Sequence, residues 1–185
     1  AGHAVPVSYA AVELAKKICS ELKGKAILII GAGEMSELAA RHLLRQGVGR
    51  ILIANRTYAR AEAMAAEFQG TPVAFDRFCE VLPEVDIVIA STGAPGYILN
   101  AEMVAAALRR RRNRLLFLID IAVPRDIDPA AGEIDNVYLY NIDHLQGVVD
   151  ANKEGRRAEA MKAEAIIAEE VEAFERWFNA LEVVP

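Results

Sequence analysis

The sequence has few of the residues that build disulfides, metal centres and nucleophilic sites. Its 185 residues include 2 cysteines and 3 histidines. Cys19 and Cys79 are far apart, form no CxxC pair and have no histidine at ligand spacing. This pattern predicts reduced structural thiols, as in the cytoplasm, and no metal site. Cys19 is expected on the buried face of a helix, and Cys79 has no nearby histidine or lysine to lower its pKa, so we expect neither to be a catalytic nucleophile.

Long apolar runs and an excess of positive charge are also missing. No apolar run reaches the roughly 18 residues of a membrane span, and no signal peptide opens the chain, so we expect a cytoplasmic protein without a membrane partner. The net charge of −5 argues against a general grip on nucleic acid but leaves a local basic patch open. The missing initiator methionine indicates a piece of a longer protein.

What is present is a regular alternation of short apolar runs and amphipathic stretches. It predicts an α/β fold, a Rossmann-like doubly wound parallel sheet with helices on both faces, in residues 24–150. The expected strand order is 3-2-1-4-5-6. The predicted strands are 26–30, 51–54, 71–75, 86–91, 115–120 and 137–141, and the predicted helices between them are 34–46, 57–68 and 100–110.

A helix is expected on each side of this domain. Residues 1–23 read as an entry helix segment capped by Ser8. Residues 151–185 are predicted to form a long C-terminal helix, truncated at its end, in which the stretch 152–181 would span about 45 Å and project from the domain. Its apolar residues are spaced as in a coiled-coil seam, which needs a partner. The seam consists of Ile167, Val171, Phe174, Phe178 and Leu181.

A glycine turn between the first strand and the second helix predicts a dinucleotide site. Gly31, Ala32 and Gly33 lead into Glu34, Met35 and Ser36. The first glycine permits the tight turn, the second lets the backbone approach a pyrophosphate, and the third position sets helix packing. Serine is small enough for that last role. The alternative is an ordinary glycine turn without a ligand.

The end of the second strand indicates which dinucleotide binds. An acid is expected there for NAD, but the chain has Asn55, Arg56 and Thr57, followed by Arg60 one turn later. A guanidinium pairs with a 2′-phosphate, and the start of the next helix favours the same anion. These residues therefore predict NADPH. The alternative is a solvated Arg56 after an edge strand.

Two further loops are expected to line the nicotinamide half of the cleft. Ser91, Thr92 and Gly93 follow the fourth strand and supply small polar groups. Ala122, Val123 and Pro124 follow the fifth strand, in a turn that would wall off the ring. For the second loop, the alternative is a proline-containing turn without ligand contact.

One basic cluster stands out in an acidic chain. It consists of Arg109, Arg110, Arg111, Arg112 and Arg114, where a helix is expected to end. Cations are favourable at a helix C-terminus, so a solvated helix end explains the cluster. The alternative is a contact with the phosphates of a nucleic acid.

The motifs together resemble glutamyl-tRNA reductase, from its NADPH-binding domain into its spinal helix. The similar stretches are GAGEMSELAARHL, ANRTYARA, STGAP, DIAVPRDIDP and YLYNIDHL, and the resemblance covers nearly the whole chain. DIAVPRDIDP and NIDHL are specific to this family, whereas the glycine turn and NRT also occur in shikimate-dehydrogenase-like enzymes. Ser36 is the main departure from the family pattern.

The resemblance implies an oxidoreductase of tetrapyrrole (porphyrin) biosynthesis. Such enzymes reduce glutamyl-tRNA(Glu) to glutamate-1-semialdehyde with NADPH, through a thioester on a cysteine of an N-terminal domain that this chain lacks. The full-length protein would be a homodimer through a C-terminal domain, and the fragment a monomer or weak dimer that binds NADPH but is inactive alone. A shikimate-dehydrogenase-like NADP reductase and a non-catalytic NADPH-sensing or scaffold module remain alternatives.

Overall fold

The structure, a computed structural model, describes residues 4–181, apart from the side chains of 4–6, 148, 174, 175 and 177–181. It divides into two compact units, with the boundary in the chain between Gln146 and Gly147. The described elements are α1 (Ala4–Cys19), β1 (Ala26–Ile30), α2 (Glu34–Arg45), β2 (Arg50–Asn55), α3 (Tyr58–Glu67), β3 (Thr71–Ala74), α4 (Phe78–Val81), β4 (Ile87–Ala90), α5 (Ala101–Arg110), β5 (Leu116–Asp120), β6 (Val137–Asn141) and α6 (Ile142–Leu181).

The six strands form one sheet in the order β3-β2-β1-β4-β5-β6, and every pairing is parallel. The predicted fold class and strand order are confirmed. Central strand β1 aligns Ile27 with Ile51 of β2 on one side and with Ile87 of β4 on the other. All three side chains are at most 2% exposed. A strand covered on both faces reads as a continuous apolar run, which explains why β1, β4 and β5 were recognisable.

The first helix begins earlier than its sequence predicts. It starts at Ala4, so the expected cap at Ser8 is wrong. Ser8 lies inside α1, is 2% exposed, and its hydroxyl donates to the carbonyl of Met35 at 3.1 Å. In the sequence alone such a serine resembles an N-cap, because its hydrogen-bond partner lies far away in the chain. Val12 and Ala15 are fully buried, as their spacing predicts, whereas Cys19 is half-buried.

The last helix also begins earlier, at Ile142, directly after β6. Asn141 caps it, because its side-chain oxygen accepts the N–H groups of Asp143 at 3.0 Å and His144 at 3.1 Å. In the second unit, Ile167 is 62% and Val171 50% exposed. The side chains of the other predicted seam residues, Phe174, Phe178 and Leu181, lie outside the described residues. Within 4–181, no helix is long and apolar enough to cross a membrane.

Candidate cofactor-binding site

A cleft of about 330 Å³ opens where β1, β2 and β4 end. The chain runs from β1 to one side of the sheet through β2 and later to the other side through β4. Open α/β sheets bind ligands at this switch point, outside the carboxyl ends of the strands. The lining contains Gly31, Ala32, Gly33, Asn55, Arg56, Thr57, Arg60, Ser91, Thr92 and Gly93, all of which were predicted, together with Phe75 and Ala94.

The two glycines of the turn have different surroundings. Gly31 has φ +107°, and a Cβ there would lie 2.2 Å from the carbonyl oxygen of Ser91. The fold therefore requires glycine at this position. A Cβ on Gly33 would meet no atom of the described residues within 4 Å. The glycine at 33 is not required by the fold, and the space in front of it is open to a ligand.

Helix α2 begins directly behind this open space. Gly33 is its N-cap and has no side chain to bond the first N–H groups. Those groups lack partners within the helix and favour an anion. The side chains of Glu34, Met35 and Ser36 do not line the cleft. Ser36 is fully buried, and its hydroxyl has no hydrogen-bond partner among the described residues, so this serine packs the helix.

The corner between β2 and α3 is positively charged. The Asn55 amide donates to the carbonyl of Thr57 at 2.9 Å and holds the corner. Thr57 is the N-cap of α3, but its hydroxyl makes no capping bond, and the first turn of α3 has no acid. Arg56 and Arg60 are exposed. Neither has an ion pair within residues 4–181, so both guanidiniums are available to an anion in the cleft.

A buried carboxylate holds the loop after β4. Asp126 accepts the N–H of Thr92 at 2.7 Å and also the hydroxyl of Thr92. The Thr92 oxygen in turn accepts the N–H of Ala94 at 3.2 Å. The threonine hydroxyl is therefore engaged within the protein, and the loop presents a fixed backbone to the cleft.

A second buried carboxylate shapes the loop after β5. Asp120 is 1% exposed and accepts the N–H groups of Ala122, Asp126 and Ile127 at 2.9–3.1 Å. Burial raises the pKa of Asp120, although these bonds lower it in part. Asp126 also has a raised pKa, again chiefly through burial. Asp120 therefore fixes the β5 loop, and Asp126 joins that loop to the β4 loop.

The predicted nicotinamide wall lies outside this cleft. Ala122, Val123 and Pro124 are absent from its lining. Ala122 is 3% exposed, whereas Val123 is 75% exposed beside a cis peptide bond to Pro124. Val123 therefore presents an apolar side chain to solvent on the loop after β5.

Sequence reasoning missed two residues of this region. Asp126 lies six positions after Asp120, and the adjacency of β4 and β5 would have placed it beside Thr92. Phe75 directly follows β3, and the strand order brings that end next to Asn55. Both signals appear only once the sheet is assembled.

Neither cysteine has the character of an activated nucleophile. Cys19 and Cys79 are free and half-buried. Burial is the main influence on both thiols and raises their pKa. A raised pKa reduces the thiolate fraction, and the thiolate is the reactive form.

The cleft and its motifs agree with a known family. A family model described as shikimate/quinate 5-dehydrogenase matches residues 13–148. The chain belongs to this family. Across all of its 185 residues it is 66% identical to a glutamyl-tRNA reductase of Syntrophus aciditrophicus, and it covers 44% of that relative. The resemblance drawn from the motifs is therefore confirmed.

Solved structures of the same fold agree. A glutamyl-tRNA reductase from Methanopyrus kandleri matches 95% of this chain at 38% identity and a TM-score of 0.80, and 44% of that chain is covered. A shikimate dehydrogenase in complex with NADP+ matches 76% of this chain and 51% of its own at 21% identity and a TM-score of 0.56, which shows the shared fold. The chain spans 44% of the length of each of these two glutamyl-tRNA reductases.

Proposed function

We propose that this chain is the NADPH-binding part of a glutamyl-tRNA reductase. The whole protein would reduce glutamyl-tRNA(Glu) to glutamate-1-semialdehyde in tetrapyrrole biosynthesis. The support for this reaction is the identity of 66% to a protein of that name over all 185 residues. The observation that carries the cofactor assignment is the positive corner of Arg56, Thr57 and Arg60 beside an open glycine turn.

The residues of the cleft fit the pyrophosphate and the 2′-phosphate of NADPH. Gly31, Ala32 and Gly33, with the free N–H groups at the start of α2, would hold the pyrophosphate. Arg56, Thr57 and Arg60 would hold the 2′-phosphate, since charge-assisted bonds from guanidiniums suit a dianion. No acid in the first turn of α3 opposes that charge.

The nicotinamide end would lie against Ser91, Thr92 and Gly93. Bound NADPH would supply a hydride to the substrate there. In this chain, Asp126 fixes the backbone of the β4 loop. The fixed loop would give the nicotinamide ring a defined position. Val123, exposed on the neighbouring loop, would shield the ring from water when the rest of the protein is present.

A shikimate-dehydrogenase-like reductase is the second candidate. The family model that matches residues 13–148 favours it. The 66% identity to a glutamyl-tRNA reductase extends beyond that region over the whole chain, including α6. We therefore prefer the glutamyl-tRNA reductase assignment.

The proposal predicts that the 185-residue chain binds NADPH and does not reduce glutamyl-tRNA. Titration with NADPH, followed by its fluorescence, would measure binding, and semialdehyde formation from charged tRNA would measure activity. NADPH should bind more tightly than NADH. Reduction of glutamyl-tRNA by this chain alone would contradict the assignment of the nucleophile to another part of the protein.

A further inference from the structure

The arginine cluster at the end of α5 divides into one buried residue and several exposed ones. Arg111 is 2% exposed. Its guanidinium donates to the carbonyls of Leu82, Pro83 and Val85, and to those of Arg114 at 2.9 Å and Leu115 at 2.6 Å. Arg111 therefore closes the turn between α5 and β5 and is unavailable to a partner.

The residues around Arg111 have little to balance their charge. Arg109, Arg110 and Arg112 are exposed, and none has an ion pair within residues 4–181. Arg110 acts at a distance on Glu80, but Glu80 already pairs with Arg77 at 2.8 Å. Three guanidiniums thus lie within four residues, two at the end of α5 and one on the following turn, which a buried fourth guanidinium holds in place.

The backbone at Arg112 is an independent observation. Arg112 and Asn113 both have φ +55°, in the left-handed region. Asparagine tolerates that region and glycine prefers it, whereas a long side chain is disfavoured there. Local folding therefore does not favour arginine at 112. Its exposed and unpaired guanidinium indicates a role outside the fold.

The cluster lies at the amino ends of the strands, whereas the cofactor cleft lies at their carboxyl ends. The turn leads into the amino end of β5, whereas the cleft is at the carboxyl ends of β1, β2 and β4. A partner that binds here leaves the cleft accessible.

We propose that Arg109, Arg110 and Arg112 form a contact surface for the phosphodiester backbone of RNA. Guanidiniums bind phosphate oxygens in a planar, charge-assisted manner that positions a nucleic acid without reading its sequence. Because the chain as a whole carries a net charge of −5, this attraction is confined to the patch. The choice of RNA over an acidic protein rests on the proposed function, in which the substrate is a tRNA.

The test is the binding of a fluorescently labelled, uncharged tRNA(Glu) transcript to the chain across a salt series. The variant Arg109→Gln/Arg110→Gln/Arg112→Gln should bind at least about 10-fold more weakly, with a salt slope smaller by roughly 2, as expected for three lost phosphate contacts. The matched control, Lys17→Gln/Lys23→Gln/Arg45→Gln, removes the same charge from exposed positions elsewhere. Equal losses in the two variants would overturn the proposal, as would wild-type binding to poly-glutamate but not to tRNA.

A second variant separates binding from folding. Arg112→Gly should leave the melting temperature unchanged or higher, because glycine suits the left-handed backbone, yet it should weaken tRNA binding several-fold. Unchanged tRNA binding by Arg112→Gly would contradict the proposed contact between Arg112 and RNA. NADPH binding should be the same in all of these proteins. A wild-type chain that does not bind NADPH would instead count against the proposed function.

Discussion

Arg56 is the residue on which the proposed preference for NADPH depends. It is exposed at the corner between β2 and α3 and lines the cleft. Arg56→Ala should weaken the binding of NADPH by about 1.5–3 kcal/mol, or roughly 10- to 150-fold. The binding of NADH should change much less, because only NADPH carries the 2′-phosphate. Titration calorimetry with NADPH and NADH would measure the difference. Arg45→Ala, on α2 outside the cleft, is the control, and equal losses for the two cofactors would reject this role for Arg56.

We expect substitutions of the two glycines of the turn to have different effects, one on cofactor binding and the other on stability. Gly33→Val should fold and lose NADPH binding, since the added side chain would extend into the open space before α2. Gly31→Ala should lower the free energy of unfolding by about 1–3 kcal/mol or more, because of its positive φ and the carbonyl of Ser91. Urea unfolding and NADPH titration of both variants distinguish the effects. A folded Gly33→Val protein that retained NADPH would contradict the placement of the pyrophosphate.

Among the elements, the loops after β4 and β5 depend on buried carboxyls. The pKa of Asp126 is raised above its ordinary value of 3.8 by burial. The folded state therefore holds the proton to higher pH than the unfolded state, and this contribution to stability declines as pH rises from about 4 through the folded pKa.

This loop gives a pH-dependent prediction. Asp126→Asn should be less stable than wild type by about 1–3 kcal/mol, because an amide cannot accept both donors of Thr92. The advantage of the wild type should be larger at pH 4.5 than at pH 7, as measured by urea unfolding. An advantage that grows towards pH 7 would mean that hydrogen bonds outweigh burial at Asp126.

The elements also show which features local sequence encodes. Strands β1, β4 and β5 were predictable because burial on both faces leaves a continuous apolar run. The glycine turn and the Asn55-Arg56-Thr57 corner follow from positions relative to those strands. Ser8, Arg111 and Asp126 were misread or missed, since each bonds to groups far away in the chain. A polar residue with a distant buried partner has no local pattern.

At the scale of the whole molecule, the exposed apolar residues of α6 bear on association. Ile166, Ile167 and Val171 are 50–62% exposed in the second unit. Burying each would contribute about 1.5–3 kcal/mol, but association costs about 4–15 kcal/mol in lost freedom. We expect the 185-residue chain to be monomeric or weakly dimeric, and the full-length protein to be a firm dimer. Light scattering over a concentration series would test this, and a tight dimer of this chain at nanomolar concentration would contradict it.

The strand order has a consequence for how the sheet can fold while the chain is being translated. The strand order allows β2 to pair with one edge of β1 and β3 with β2, after which β4 can pair with the free edge of β1 and be followed by β5 and β6. Each new strand meets an edge that already exists, and none has to be inserted between two paired neighbours. The sheet can therefore grow outward as translation proceeds. In this order of assembly the second edge of β1 would stay unpaired until Ile87–Ala90 are synthesised, and we expect the nascent chain to be most prone to misassociation during that interval.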